Sequence, residues 1–247
     1  MWGGPFPRLG VALAGLAVGI GQFGGAYALF EGFARAPVAL VVLLFYVYPL
    51  IVAVGAGLLY GEELGPRRLA VVALGFAGIA LIVGAPESLS AVGVALGIGG
   101  GACIAAVILA SRYLMVAKGL TPLWLSALMF TSPAAGLLLA ALVKPPDFDV
   151  GDQAWLWAAG TVVISVVIPI TLFYTGVKLV GAGTAALLGN AEPLVSVLLA
   201  YVVLDESLTA LQLAGGALIV GSVVLLSLRS SAAGQDRLAA AASRDPR

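Results

Sequence analysis

The stretch Gly183–Leu208, GTAALLGNAEPLVSVLLAYVVLDESL, decides how the rest of the chain is interpreted. It is long and apolar enough to cross a bilayer, which takes about 20 residues. Asn190, Glu192 and Pro193 lie at its centre. A carboxylate at mid-membrane depth costs at least ~2 kcal/mol unless it is paired, hydrated or protonated, and a proline frees the carbonyl four residues earlier. The stretch therefore predicts a kinked membrane helix with a functional carboxylate, for which the other helices form the housing.

The overall composition is that of an integral membrane protein. The 247 residues are 62% hydrophobic and 10% charged, with a mean hydropathy of +1.12, whereas soluble domains carry about 25% charged residues. The net charge of zero gives no sign of a nucleic-acid partner. With no histidine and a single cysteine, Cys103, the chain lacks the residues for an internal disulfide, a zinc site, a histidine-ligated haem or a Ser-His-Asp triad. We therefore expect no metal and no cofactor.

The apolar segments predict an all-α, polytopic membrane bundle of about eight helices, most with the roughly 17–25 residues that span a bilayer. In chain order the predicted spans are Leu9–Phe30, Ala36–Tyr60, Leu69–Val83, Val92–Ser111, Thr121–Val143, Ala154–Val177, Thr184–Leu204 and Leu211–Leu228. The third is short and is expected to begin earlier, near Arg67. Lys144–Asp152 is predicted to be a solvated turn, and residues 229–247 a disordered cytoplasmic tail.

Lysine and arginine are distributed unequally over the predicted loops. With eight spans, ten of the twelve lie on the side of both termini, and only Arg35 and Lys144 lie on the other. Cytoplasmic loops carry the excess of Lys and Arg. The count therefore predicts that both termini are cytoplasmic, that the protein lies in the cell's inner membrane, and that the number of spans is even.

Glycines recur four residues apart on three predicted helices, a spacing that lets helix backbones approach closely. The positions are Gly15 and Gly19, Gly57 and Gly61, and Gly93, Gly97 and Gly101. Packing within the chain is the simpler interpretation, and a homodimer face is the alternative.

Two segments resemble each other. Pro49 precedes Glu62 by 13 positions, and Pro193 precedes Glu206 by the same number. The Lys and Arg count places Glu62 on the cytoplasmic side and Glu206 on the outer side, so the two copies cross the membrane in opposite directions. Such inverted repeats are typical of secondary transporters, whose substrate site lies near mid-membrane between the halves.

The same segments, YALFEGFARAPVALVVLLFYVYPL…GEELGPRRL and GVKLVGAGTAALLGNAEPLVSVLLAYVVLDESLTALQLAGGALIVG, resemble the EamA domains of the drug/metabolite transporter superfamily. The resemblance implies a ten-helix carrier built from two inverted five-helix repeats, and many such carriers export amino acids, other small metabolites or toxic compounds. Matched to that pattern, residues 1–84 are a partial first repeat of three helices and residues 92–228 a second repeat of five. The resemblance thus implies that the first two helices of the carrier are missing.

The candidate site residues are the polar and aromatic groups at mid-membrane depth. Glu192 is expected to bind a substrate amine or exchange a proton, the alternative being a structural hydrogen-bond acceptor. Asn190 is a second candidate, or else an interhelical hydrogen bond. The remaining candidates are Tyr48, which is the repeat equivalent of Glu192, its neighbour Tyr46, the depth-matched Gln22 and Tyr174, and the prolines Pro49 and Pro193 as a pair of hinges.

These observations predict a carrier that exports small metabolites such as amino acids by alternating access, with proton coupling as a hypothesis motivated by Glu192. A truncated, inactive remnant of such a carrier is the alternative. A membrane-embedded enzyme is disfavoured because it would need clustered ionisable groups at one interface. Glu62 and Glu206 are expected to cap the next helix or to pair locally.

Overall fold

The computed structural model of the chain describes residues 6–62, 65–85, 88–143, 151–189, 191–203, 209–222 and 224–225. The predictions for Asn190, for Glu206 and for the tail 229–247 lie outside these residues, as does most of the predicted turn Lys144–Asp152. Within them the chain is an apolar helical bundle, which confirms the predicted all-α membrane fold class.

The helices follow one another with short connections. They are α1 (Leu9–Arg35), α2 (Val38–Phe45), α3 (Tyr48–Tyr60), α4 (Pro66–Val83), α5 (Ala91–Val116), α6 (Pro122–Val143), α7 (Gly151–Thr161), α8 (Ile168–Val180), α9 (Ala182–Gly189), α10 (Glu192–Val203) and α11 (Ala210–Ser222). A π-helical segment, Val162–Val167, joins α7 to α8. The third predicted span does begin earlier, at Pro66, and the predicted turn ends earlier than expected because α7 starts at Gly151.

Among the described residues, four stretches are long and apolar enough to cross a membrane: Leu9–Arg35, Leu40–Tyr60, Ala91–Val116 and Gln153–Val180. Three shorter apolar helices accompany them, Leu69–Val83, Pro122–Leu138 and Ala210–Ser222. The count of eight spans and the inverted repeat stay predictions.

Two predicted spans are interrupted, each at a proline. The second predicted span divides into α2, which ends at Phe45, and α3, in which Pro49 is the second residue. The seventh divides into α9, which ends at Gly189, and α10, in which Pro193 is the second residue. Each earlier helix ends four residues before the proline, because the proline has no N–H to donate to that carbonyl. The proline therefore has the same position relative to the flanking helices in both segments.

Glycines allow the closest helix contacts, and they are made within the chain. A Cβ at Gly93 would meet Ala36 and Leu40, one at Gly97 would meet Leu44 and the Val41 carbonyl, and one at Gly101 would meet the Phe45 carbonyl. The face of α5 that carries these glycines is thus filled by the segment around α2. Gly15 and Gly19 face α6 in the same way.

The predicted close contact at Gly61 is wrong. A Cβ there would meet nothing within 4 Å. Gly61 instead ends α3 with φ at 65°, a left-handed conformation that glycine adopts without steric cost. Its four-residue spacing from Gly57 therefore reflects the helix terminus and not a packing face.

The stretch Gln153–Val180 is the least covered of the long apolar helices: 6% of its most apolar 18-residue window is buried, against 28–39% in the other three. Leu156 and Ile164 are largely exposed, as suits contact with lipid. Only the later part of α8 packs inside the bundle, where Thr171, Tyr174 and Val177 are buried. This part of α8 brings Tyr174 to the site described next.

Candidate functional site

A cavity of about 400 Å³ lies at the level of the two helix interruptions. Its lining residues come from six helices and from the α2–α3 interruption: Gln22, Leu29, Phe33, Val42, Phe45, Tyr46, Tyr48, Ile104, Ile108, Ile170, Phe173, Tyr174, Glu192 and Pro193. Six of the eight predicted site residues are in this set. Pockets of roughly 300–1,000 Å³ with mostly apolar walls and few polar groups are typical of small-molecule sites.

Among the described lining residues Glu192 is the only acidic one, and its environment follows from the proline interruption. As the first residue of α10 it lies where unpaired backbone N–H groups and the helix dipole favour a negative charge. Tyr46 is a polar neighbour of its carboxylate. Tyr46 is the C-cap residue of α2, so the contact joins the two interrupted segments. The carboxylate therefore lies between the two interrupted segments and borders the cavity.

Tyr48 lies deeper than Glu192 and is 7% exposed. Its hydroxyl occupies the space beside Gly189, where a Cβ would come within 3.0 Å of it. The rings of Phe45, Tyr46 and Tyr48 are in mutual contact, with centroids 5.8–6.1 Å apart. These three rings form an aromatic wall of the cavity, and its end meets the end of α9.

Tyr174 completes the polar part of the lining from α8. It is 3% exposed, its ring packs edge-on against Phe173 at 5.3 Å, and the buried Ser111 is its polar neighbour. Gln22 reaches the same cavity from α1. Pro49 is fully buried behind the lining, so of the two prolines only Pro193 borders the cavity.

Sequence reasoning missed the apolar half of the lining. Leu29 and Phe33 of α1, and Ile104 and Ile108 of α5, border the cavity. Nothing in their local sequence separates them from residues that pack or face lipid, because apolar side chains serve all three purposes in a membrane protein. A spacing of four residues places each pair on one helix face. It does not show whether that face lies towards the cavity, the other helices or the lipid.

A second polar cluster lies at the far end of α3. Glu62 forms an ion pair with Arg112 of α5 and accepts a hydrogen bond of 3.1 Å from the backbone N–H of Ala182, the first residue of α9. Both side chains of the ion pair are largely buried, at 18% exposure for Arg112 and 12% for Glu62. Glu62 was expected to cap the next helix or to pair locally, whereas the described contacts join it to α9, 120 residues later, and to Arg112, 50 residues away.

The tertiary position of Arg112 explains why the sequence did not reveal this cluster. The fourth span was predicted to end at Ser111, but α5 continues to Val116, so Arg112 lies inside a helix and not in a loop. Its guanidinium lies 4.7 Å from the centre of the Tyr60 ring, a cation–π contact. A lone arginine in an apolar helix indicates a buried acidic partner, and that signal was available.

Another cavity, of about 580 Å³, lies where α1 begins and α5 turns into α6. Arg8, Lys118 and Trp124 are among its lining residues. None of the predicted site residues borders it, and the two helix interruptions are not part of it. The convergence of a carboxylate, three tyrosines and two interrupted helices favours the first cavity as the functional one.

The bundle and its central cavity define a multi-pass membrane protein. The model of the EamA-like transporter family matches residues 1–84 and 91–228. The chain belongs to this family, which confirms the resemblance seen in the sequence.

Individual relatives agree with this assignment. An uncharacterized transporter from Archaeoglobus fulgidus is 33% identical over 190 residues, which cover 76% of this chain and 66% of that protein. An uncharacterized transporter from Synechocystis sp. is 27% identical over 199 residues, which cover 77% of this chain and 59% of that protein. The chain thus spans less than two thirds of the length of these curated relatives.

One solved crystal structure supports the fold. It superimposes with a TM-score of 0.74 at 23% identity, covering 90% of this chain and 76% of the other. At this identity the likeness concerns the fold alone.

Proposed function

We propose that this protein exports small metabolites such as amino acids by alternating access, and that Glu192 binds the substrate amine or a coupling proton. One observation carries the proposal. The carboxylate borders a central cavity beside Tyr46, and Glu192 begins a half-helix at a proline interruption. Discontinuous helices that meet at mid-membrane are the usual construction of substrate and ion sites in secondary transporters.

The cavity suits a small amphipathic molecule. Its polar groups, Glu192, Gln22 and the tyrosine hydroxyls, are few, and the rest of its lining is aliphatic or aromatic. A carboxylate pairs with an ammonium group, while Phe33 and Ile108 offer contacts to an apolar side chain. These lining residues favour a carrier over an enzyme, because the described lining contains no nucleophile paired with a general base.

The orientation is part of the proposal. The excess of Lys and Arg supports cytoplasmic termini in the inner membrane. With that orientation, α1 runs outward, and Leu29 and Phe33 lie closer to the outer end than Gln22. The cavity therefore extends from mid-membrane towards the outer side.

The test is flux in proteoliposomes that contain the full chain. A panel of radiolabelled amino acids is presented with and without an imposed proton gradient. We expect Glu192→Gln to abolish gradient-driven flux while the protein still elutes as a folded species. Glu31→Gln is the matched control, because Glu31 pairs with Arg35 within α1, away from the cavity, and it should transport normally. Unchanged pH-dependent flux in the Glu192→Gln variant would contradict the proposed role of the carboxylate.

A further inference from the structure

The central cavity and the Glu62 cluster are connected by the same two helices. Tyr48, at the beginning of α3, borders the cavity, and Tyr60, at its end, contacts Arg112. Along α9 the order is reversed: Ala182 bonds to Glu62, and Gly189 meets Tyr48. The 12 residues from Tyr48 to Tyr60 span about 18 Å of helix. The cluster therefore lies roughly half a membrane thickness from the cavity.

The space between cavity and cluster is closed by small side chains. Ala56 of α3 and Ala182 and Ala186 of α9 are fully buried, and they belong to one packed core. In the opposite direction the cavity lining continues along α1 to Leu29 and Phe33. The cavity thus extends away from the cluster, and the α3–α9 contact lies between the two.

We propose that Glu62, Arg112 and the first turn of α9 form a closed gate at one end of the transport path, and that these groups separate when the cavity opens to that end. This inference rests on the proposed alternating-access function. By the Lys and Arg count, the gate is on the cytoplasmic side. The chemical basis is that one carboxylate ties α3 to α5 and α9 at once.

The geometry of Gly181 fits a tightly closed contact. A Cβ at Gly181 would lie 2.6 Å from the Glu62 carboxylate and 3.0 Å from Arg112 Nη1, and the residue has φ at 93°. Both the space and the backbone conformation therefore require glycine. Tyr60 holds Arg112 from the other side, since its hydroxyl donates a 2.6 Å hydrogen bond to the Leu109 carbonyl of α5.

The Glu62–Arg112 ion pair stabilises the closed state, and its two charges can be solvated by water when the helices separate. A buried charge that loses its partner is poorly solvated. While both Glu62 and Arg112 are present, each charge has its partner in the closed state, and this state is therefore favoured. When the helices separate, water can solvate both charges and replace the ion pair and the backbone hydrogen bond from Ala182. The Glu31–Arg35 pair, by contrast, lies within α1 and does not join two helices.

The test measures access to the closed region without any substrate. In the full chain with Cys103→Ser, the reporter Ala56→Cys is reacted with a membrane-impermeant maleimide applied to inside-out or right-side-out vesicles. We expect slow labelling from both sides in the parent. Glu62→Gln and Arg112→Gln should each raise the rate from the cytoplasmic side about tenfold, whereas Glu31→Gln should match the parent.

Two results would overturn the gate. One is an unchanged rate in both gate variants, and the other is an equal rise from both sides, which reports unfolding and not opening. Because labelling needs no substrate, a one-sided rise supports the gate even where amino-acid flux is absent. An unchanged rate overturns it even where that flux is present, so failure of the gate is distinguishable from failure of the carrier function.

Discussion

Replacing Gly101 by alanine should destabilise the protein and disturb the cavity. The added Cβ would lie 2.6 Å from the Phe45 carbonyl oxygen and 3.3–3.4 Å from the Phe45 backbone carbons. Ordinary contact begins near 3.4 Å, so α5 and the end of α2 must move apart by about 0.8 Å. The atoms in the way are backbone, and no side-chain rotation relieves the clash.

The magnitude follows from overpacking, which typically costs about 1–3 kcal/mol of unfolding free energy. Gly→Ala within a helix also contributes roughly 1 kcal/mol of helix propensity in the favourable direction. Gly99 provides the matched control, since it lies in the same helix and a Cβ there would meet nothing within 4 Å. Comparing Gly101→Ala with Gly99→Ala cancels the propensity term and leaves the cost of the contact.

The assay is thermal unfolding of both purified variants in the same detergent. At roughly 2–4 °C per kcal/mol for a chain of this size, Gly101→Ala should unfold about 2–12 °C below Gly99→Ala. Phe45 borders the cavity, so flux should fall in the same variant. Equal melting temperatures would refute the reasoning, because they would mean that α2 and α5 do not approach as closely as described.

Two further predictions concern stability. Ser132→Ala removes a 2.9 Å hydrogen bond from α6 to the Leu16 carbonyl of α1, and in a membrane protein this should cost about 0.6 kcal/mol of unfolding free energy. The control Thr131→Val removes a bond within α6 and should cost less. An equal loss in both variants would contradict the interhelical role of Ser132. Gly61→Ala forces a side chain into the left-handed conformation at the end of α3 and should lower the free energy of unfolding by about 1–2 kcal/mol. Gly10→Ala, in open space in α1, should not lower it. A Gly61→Ala variant as stable as the parent would count against the left-handed C-cap.

The apolar segments and the two prolines were sufficient to predict the bundle and its interruptions. Helix formation in a membrane is enforced by the need to satisfy every backbone group, so long apolar segments identify the helices. Proline acts on its own helix, so its effect at Phe45 and Gly189 was local and could be read from spacing. The gathering of Gln22, Tyr174 and Glu192 around one cavity agrees with their shared polarity at mid-membrane depth.

The interhelical partners could not be predicted in the same way. Glu62 and Ala182 are 120 residues apart, and no local pattern indicates that α9 begins beside the end of α3. Helix ends were also misjudged: Arg112 was assigned to a loop because a charge normally ends an apolar span, whereas here a buried carboxylate keeps it inside α5. Such contacts depend on the tertiary arrangement, which apolar periodicity in lipid does not determine.

Both proline interruptions contribute to the environment of Glu192. Pro193 ends α9 at Gly189, so that Glu192 begins a new helix where its charge meets free N–H groups. Pro49 ends α2 at Phe45, and the next residue, Tyr46, then places a polar side chain beside the carboxylate. A glutamate in an uninterrupted apolar helix would have neither form of stabilisation and would be costly in the membrane. The pairing of the prolines therefore explains how one carboxylate is accommodated at the centre of so apolar a chain.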